Sequence, residues 1–183
     1  MNKEKKQSPT KILEEKVEKA QRGHEWKQFL LECVVLLAAV YVLFHYVIGI
    51  AFVSGHSMEP TLRDGELLIF YRLDREYGPD DLVLVHREEN LEYIKRIVAV
   101  GGDTIEIDEE GKLWINGEPE QRDSIFFETW ATSERITFPY IVPENCYFVL
   151  GDHRINSKDS REFGAVSQEE ITGRVCLHLG IIH

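Results

Sequence analysis

Apolar positions along this chain follow two different rhythms. From Cys33 to Val53 there are twenty-one residues without Asp, Glu, Lys or Arg. About twenty apolar residues suffice to cross a bilayer, whereas the apolar core of a removed secretory leader is only about 7–15 residues long. No small-x-small site follows the run, which ends in Ala51-Phe52-Val53. The pattern predicts a retained transmembrane anchor over residues 29–53, preceded by a polar segment over 1–28 in which Thr10 would cap a short helix beginning near Lys11. Glu32 and His45 are the blemishes in the apolar stretch. Glu32 falls near the inner end, and His45 reads as a neutral, hydrogen-bonded side chain.

Beyond Val53 the runs become short and strand-like. Leu67-Leu68-Ile69-Phe70-Tyr71, Leu82-Val83-Leu84-Val85 and Tyr147-Phe148-Val149-Leu150 read as buried strands, and Ile171 to Ile182 as a last strand region. Thr104–Asp108 and Lys112–Asn116 flank Glu109-Glu110-Gly111, a hairpin signal with Gly in the loop. Residues 118–145 are irregular, with Pro119, Pro139 and Pro143. Over Leu91–Val100, strand alternation places Leu91, Tyr93, Lys95, Ile97 and Ala99 on one face, so Lys95 is the one charged group on a mostly apolar face. Arg96 shares the other face with Glu92, a candidate partner. The expected fold is mostly β: a single N-terminal transmembrane helix, then a domain of many short strands over 54–183.

Charge then orients the chain. Residues 1–27 hold eight Lys/Arg and five Asp/Glu, and a basic excess before an anchor places the N-terminus in the cytoplasm. The 54–183 domain would then be extracytoplasmic. It carries thirteen Lys/Arg against twenty-six Asp/Glu, within a chain of net charge −11. An acidic domain without a basic stripe argues against nucleic acid as a partner. No cluster suggests a metal or a cofactor. Of the three cysteines only Cys146 and Cys176 lie where they could pair, and both sit among strand residues, where a buried free thiol is the commoner state.

Candidate chemistry centres on Ser54-Gly55-His56-Ser57-Met58-Glu59-Pro60-Thr61, where the apolar run gives way to the polar domain. A serine hydroxyl is a weak nucleophile and needs a base within hydrogen-bond reach. His56, His86, His153 and Lys95 are the candidates. His56 adjoins Ser57 in sequence, so in an extended segment the two side chains point apart. A desolvated lysine can serve, and Lys95 is placed to enter an apolar environment. A third polar group, Asp152, Ser157, Asp159 and Arg161, lies in the loop Gly151–Gly164, where Asp159 and Arg161 read as a loop-stabilising ion pair.

These stretches resemble the type I signal peptidases, membrane-bound serine proteases with a Ser–Lys dyad, in their Gram-positive form. Ser57-Met58-Glu59-Pro60-Thr61 is similar to the family's Ser-Met-x-Pro-Thr box, and Tyr93-Ile94-Lys95-Arg96 to its lysine box. Gly151 to Gly164 resembles its Gly-Asp-Asn-Arg…Ser-x-Asp-Ser-Arg-x-x-Gly box, with His153 where Asn is usual. The resemblance covers nearly the whole chain from Cys33. It implies Ser57 as nucleophile and Lys95 as general base. It also implies that Ser157 hydrogen-bonds the amine, that Asp159 and Arg161 hold the loop, and that Asp152 supports it. The implied substrates are signal peptides of exported preproteins, cut after small residues at −1 and −3, with the bilayer as the other partner. Gly55 stands where some members have a serine, so the resemblance leaves the second oxyanion donor open. An anchored β-domain that binds exported chains without cutting them is the alternative reading, and the joint presence of Ser57 and Lys95 speaks against it.

Overall fold

A computed structural model of the chain describes residues 9–87, 91–122, 125 and 127–180. Residues 1–8 of the polar N-terminal segment and the Ile181–Ile182 end of the expected last strand lie outside them. The chain divides into two compact units, 1–45 and 46–183.

The first unit is helical. One helix, α1, spans Pro9–Val42, and Leu43–Val47 continues it as a wider π-helical turn. Its described part already includes Thr10, the expected cap, as a helical residue. Glu25–Val47 is long and apolar enough to cross a membrane, with mean hydropathy 2.2. Trp26, Leu30, Val34, Leu37 and Tyr41 are exposed along it, which fits a membrane-anchoring helix.

The second unit is mostly β. A seven-stranded antiparallel sheet has the order β1-β2-β11-β3-β4-β9-β10. Its strands are β1 (Ile48–Phe52), β2 (Leu67–Tyr71), β3 (Leu82–Arg87), β4 (Leu91–Val100), β9 (Cys146–Leu150), β10 (Val166–Ser167) and β11 (Ile171–Leu179). A smaller sheet, order β7-β6-β5-β8, contains β5 (Thr104–Ile107), β6 (Leu113–Ile115), β7 (Glu118–Pro119) and β8 (Tyr140–Ile141). The expected hairpin is β5–β6, and the described residues of the irregular 118–145 stretch contribute the two-residue strands β7 and β8.

The expected anchor over 29–53 is corrected at its outer end. Ile48–Phe52 is not helical but pairs in register with β2, from Ile48 opposite Tyr71 to Phe52 opposite Leu67. Val53 N–H then donates to Glu66 O (2.8 Å), and Val53 is buried with Met58, Leu62 and Leu68. Apolar composition suits a bilayer and a sheet equally; an available partner strand decides between them by satisfying the backbone groups. Ile50 and Phe52 remain exposed, at 53% and 71%.

A second correction concerns β4. Its register against β9 shifts between Ile97 and Ala99, so a bulge at Val98 breaks the alternation. Ile97 packs with Val83, Val85, Tyr147 and Val149, whereas Val98 and Ala99 pack with Phe148, Leu150, Ile105 and Leu113 between the two sheets. Lys95 shares its face with Ile97 but not with Ala99. Opposite Lys95 on β3 stands Val83, fully buried. The lysine therefore extends from the central part of the larger sheet.

Candidate active site

The nucleophile segment is packed down by its apolar residues. Met58 and Leu62 are buried with Leu82 and Ile94 alongside, and Leu62 N–H closes a turn onto Met58 O (2.9 Å). Gly55 takes φ +92°, a left-handed conformation that costs a residue with a Cβ far more, and its N–H donates to Asp64 Oδ1 (2.7 Å). Ser57 emerges half-buried from this segment.

Lys95 Nζ lies 2.8 Å from Ser57 Oγ. The side chain is 1% exposed, and the Tyr93 ring centroid is 5.6 Å from the amine. Burial pushes its pKa down from the ordinary lysine value to about 8, against the opposing pull of Asp159 and with help from Arg161. When charged, the amine donates to Ser57 Oγ; when neutral, it offers a lone pair to the Ser57 hydroxyl. The pKa of about 8 makes the neutral amine the major form above that pH and leaves about a tenth neutral one unit below it.

Both nearby carboxylates face other partners. Asp159 forms a buried ion pair with Arg161 (Nη2 to Oδ2 2.8 Å, Nε to Oδ1 2.8 Å) and accepts from Gly151 N–H (3.1 Å). It also caps the single helical turn α2 (Ser160–Phe163), accepting from Arg161 N–H. Asp152 accepts two bonds from Arg96 (Nε 2.9 Å, Nη2 2.7 Å) and one from Thr61 Oγ1 (2.5 Å). The expected Arg96–Glu92 pairing is absent: Glu92 instead accepts from Thr172 Oγ1. One carboxylate thus joins the serine segment through Thr61, the lysine strand through Arg96 and the loop that carries Ser157. Sequence reasoning missed Thr61 and Arg96 in this role, because no local spacing marks a contact between segments so far apart in the chain.

Ser157 is placed differently from expectation. Its Oγ is buried without a hydrogen-bond partner, so the expected bond to Lys95 is not made. It sits against Gly151, where a Cβ would come within 2.2 Å of Ser157 Oγ and 2.5 Å of Ser57 O. Only glycine lets these two segments approach so closely.

The histidines take other roles. His56 is exposed and bonded through Nδ1 to Glu59 (2.8 Å), which raises its pKa. His153 donates its backbone N–H to Ser57 O (3.1 Å), places Nδ1 3.1 Å from His56 O and stacks on Phe127. His86 is exposed on β3. Among the described residues, Lys95 is the titratable group that the fold brings to Ser57 Oγ. Cys33, Cys146 and Cys176 are free thiols; Cys146 is half-buried and Cys176 exposed, not buried as their strand positions suggested.

The family model described as signal peptidase, peptidase S26, matches residues 26–179. The chain belongs to that family. Signal peptidase I of Bacillus caldolyticus is 34% identical, with 86% of this chain and 91% of the relative covered. Signal peptidase IB of Staphylococcus aureus is 29% identical, with 81% of this chain and 88% of the relative covered. A crystal structure of a signal peptidase I from Enterococcus faecalis is 28% identical, covering 55% of this chain and 97% of that one, with a TM-score of 0.45. With its family established, the chain is a serine hydrolase of the S26 class.

Ser157→Ala is expected to leave stability within about 1 kcal/mol of the wild type, or raise it, because the deleted hydroxyl is unpaired. Preprotein cleavage should fall at the same time. Urea denaturation alongside a cleavage assay checks both; a loss above about 2 kcal/mol would assign Ser157 to structure instead.

Proposed function

We propose that this chain is a membrane-anchored endopeptidase that removes signal peptides, with Ser57 as nucleophile and Lys95 as general base. The observation that carries the reading is the 2.8 Å approach of a buried amine with a lowered pKa to the Ser57 hydroxyl.

Neutral Lys95 takes the Ser57 proton as Oγ attacks the scissile carbonyl. The resulting ammonium delivers that proton to the departing amine. The acyl-enzyme is then hydrolysed by a water that Lys95 activates in turn. Asp152, Asp159 and Arg161 hold the surrounding loop, and Asp159 and Asp152, each engaged by an arginine, leave the amine free to lose its proton. Ser157 Oγ, buried and unbonded beside the Ser57 carbonyl, is available to orient the amine during the reaction.

The substrate would bind as an added strand. β4 pairs with β3 from Leu91 onward, but with β9 only from Arg96, so the other edge of Leu91–Lys95 carries no partner strand among the described residues. An extended peptide there gains main-chain hydrogen bonds, with side-chain pockets alternating along it. Small residues at −1 and −3 fit the family resemblance. Ser57 follows Val47, where the candidate span ends, by ten residues, about 35 Å at full extension, which bounds its distance from the span. A signal peptide is likewise cut beyond the end of its own apolar stretch.

The basic excess over residues 1–27, ahead of the apolar part of α1, supports a cytoplasmic N-terminus and an outside β-domain. Protease added to spheroplasts should digest the domain beyond Val53 and spare the N-terminus; a protected domain would reverse this topology.

Cleavage of a preprotein by detergent-solubilised protein tests the mechanism. The wild-type rate should rise with pH through about 8 as Lys95 loses its proton, and Ser57→Ala should be inactive. Lys95→Arg should be as inactive as Lys95→Ala over about pH 6 to 10, since a guanidinium stays protonated. Substantial activity of the Arg variant at any of these pH values would show that Lys95 supplies only a charge.

A further inference from the structure

The reading above assigns no role to Glu120, Thr129 and Trp130, which lie between β7 and β8 of the smaller sheet. Yet among the described residues this segment touches the catalytic loop at several points, beyond the stacking of Phe127 on His153. Arg154, whose side chain is 0% exposed, donates from Nη1 and Nη2 to the two oxygens of Glu120 (2.7 and 2.8 Å) and from Nη1 to Thr129 Oγ1 (2.6 Å). Arg161 Nη1 donates to Trp130 O (3.1 Å). The clamping residues are themselves tied to the β5–β6 hairpin: Glu120 N–H donates to Leu113 O (2.8 Å), and Thr129 N–H to Gly111 O (2.6 Å).

The far side of Arg154 reaches the reacting groups. Its Nε donates to Gly151 O (3.1 Å), and its own carbonyl accepts from Arg161 Nη2 (2.6 Å). Gly151 is the residue packed against both Ser57 O and Ser157 Oγ. A rotation of the Gly151 peptide would therefore move the nucleophile segment and the Ser157 hydroxyl relative to Lys95.

We propose that Glu120 and Thr129 are positioning residues of the peptidase: acting through Arg154, they fix the Gly151 carbonyl and so set the loop 151–161 against Ser57. The proposal rests on the Ser57–Lys95 reading. A buried guanidinium without its carboxylate is costly, and it seeks another acceptor. Asp152 and Asp159 are carboxylates of the same loop, each already committed to a different arginine. Removing the Glu120 charge would leave Arg154 without its carboxylate, and Arg122, whose Nη1 lies 3.3 Å from Glu120 Oε1, with Asp80 alone; Arg154 would then compete with Arg96 and Arg161 for Asp152 and Asp159 and disturb the order of the loop. The smaller sheet then becomes part of the catalytic device.

The test compares Glu120→Gln, Thr129→Val, Thr129→Ser and Lys95→Ala with wild type. Each is studied as full-length protein in detergent, with kcat and KM for a signal-peptide substrate measured well below its own melting temperature. Glu120→Gln is expected to lower kcat about 10- to 100-fold with KM changed less than about twofold, the signature of misplaced reacting groups. Thr129→Val should lower kcat, and Thr129→Ser, which keeps the hydroxyl, should restore it. A merely structural clamp would lower the melting temperature and leave kcat of the folded protein unchanged; that result for Glu120→Gln, or for Thr129→Val if the Gln variant does not fold, overturns the proposal. Lys95→Ala separates the two claims. If it is inactive while the clamp variants match wild type, only the clamp falls; if it retains activity, the Ser57–Lys95 reading falls and the clamp with it.

Discussion

Desolvation of one amine is the constraint on which the rest of the site depends. Lys95 is almost entirely removed from water, and its pKa drops to about 8 because burial penalises the ammonium. A carboxylate bonded directly to the amine would restore the charge and remove the base that the proposed mechanism requires. The fold instead commits each nearby acid elsewhere: Asp159 to Arg161 and Asp152 to Arg96. The arginines engage these acids while Lys95 remains free to titrate.

That division of labour also explains the wiring. Asp152 ties Thr61, Arg96 and the loop together, so the three segments that contribute to the site share one carboxylate. Met58 and Leu62 hold the serine segment by packing, whereas the loop, rich in polar residues, is held by ion pairs and backbone bonds. Gly151 sits at the meeting point because a side chain there would collide with Ser157 and the Ser57 carbonyl.

Much of this was legible in the sequence, for physical reasons. β2 and β4 occupy the spans expected from their apolar runs and alternation, since a half-buried strand imposes a two-residue period. Lys95 stood out as a charge on an apolar face. The misses are all non-local. Ile48–Phe52 has a composition that fits a membrane span, and only the partner β2 makes it a strand. The Val98 bulge depends on register with β9. Arg96 passes over Glu92 for Asp152, and Ser157 is packed against Gly151 without bonding to the amine. Glu120 and Thr129 lie in a segment without periodicity, where nothing local marks a partner for Arg154.

The most direct test is titration of the Lys95 amine itself, followed by NMR in full-length protein carrying isotope-labelled lysine and assigned with Lys95→Ala. The account predicts one lysine with a midpoint of about 8, well separated from the others. A Lys95 signal titrating at about 10.4, the value of a solvated lysine, would contradict it.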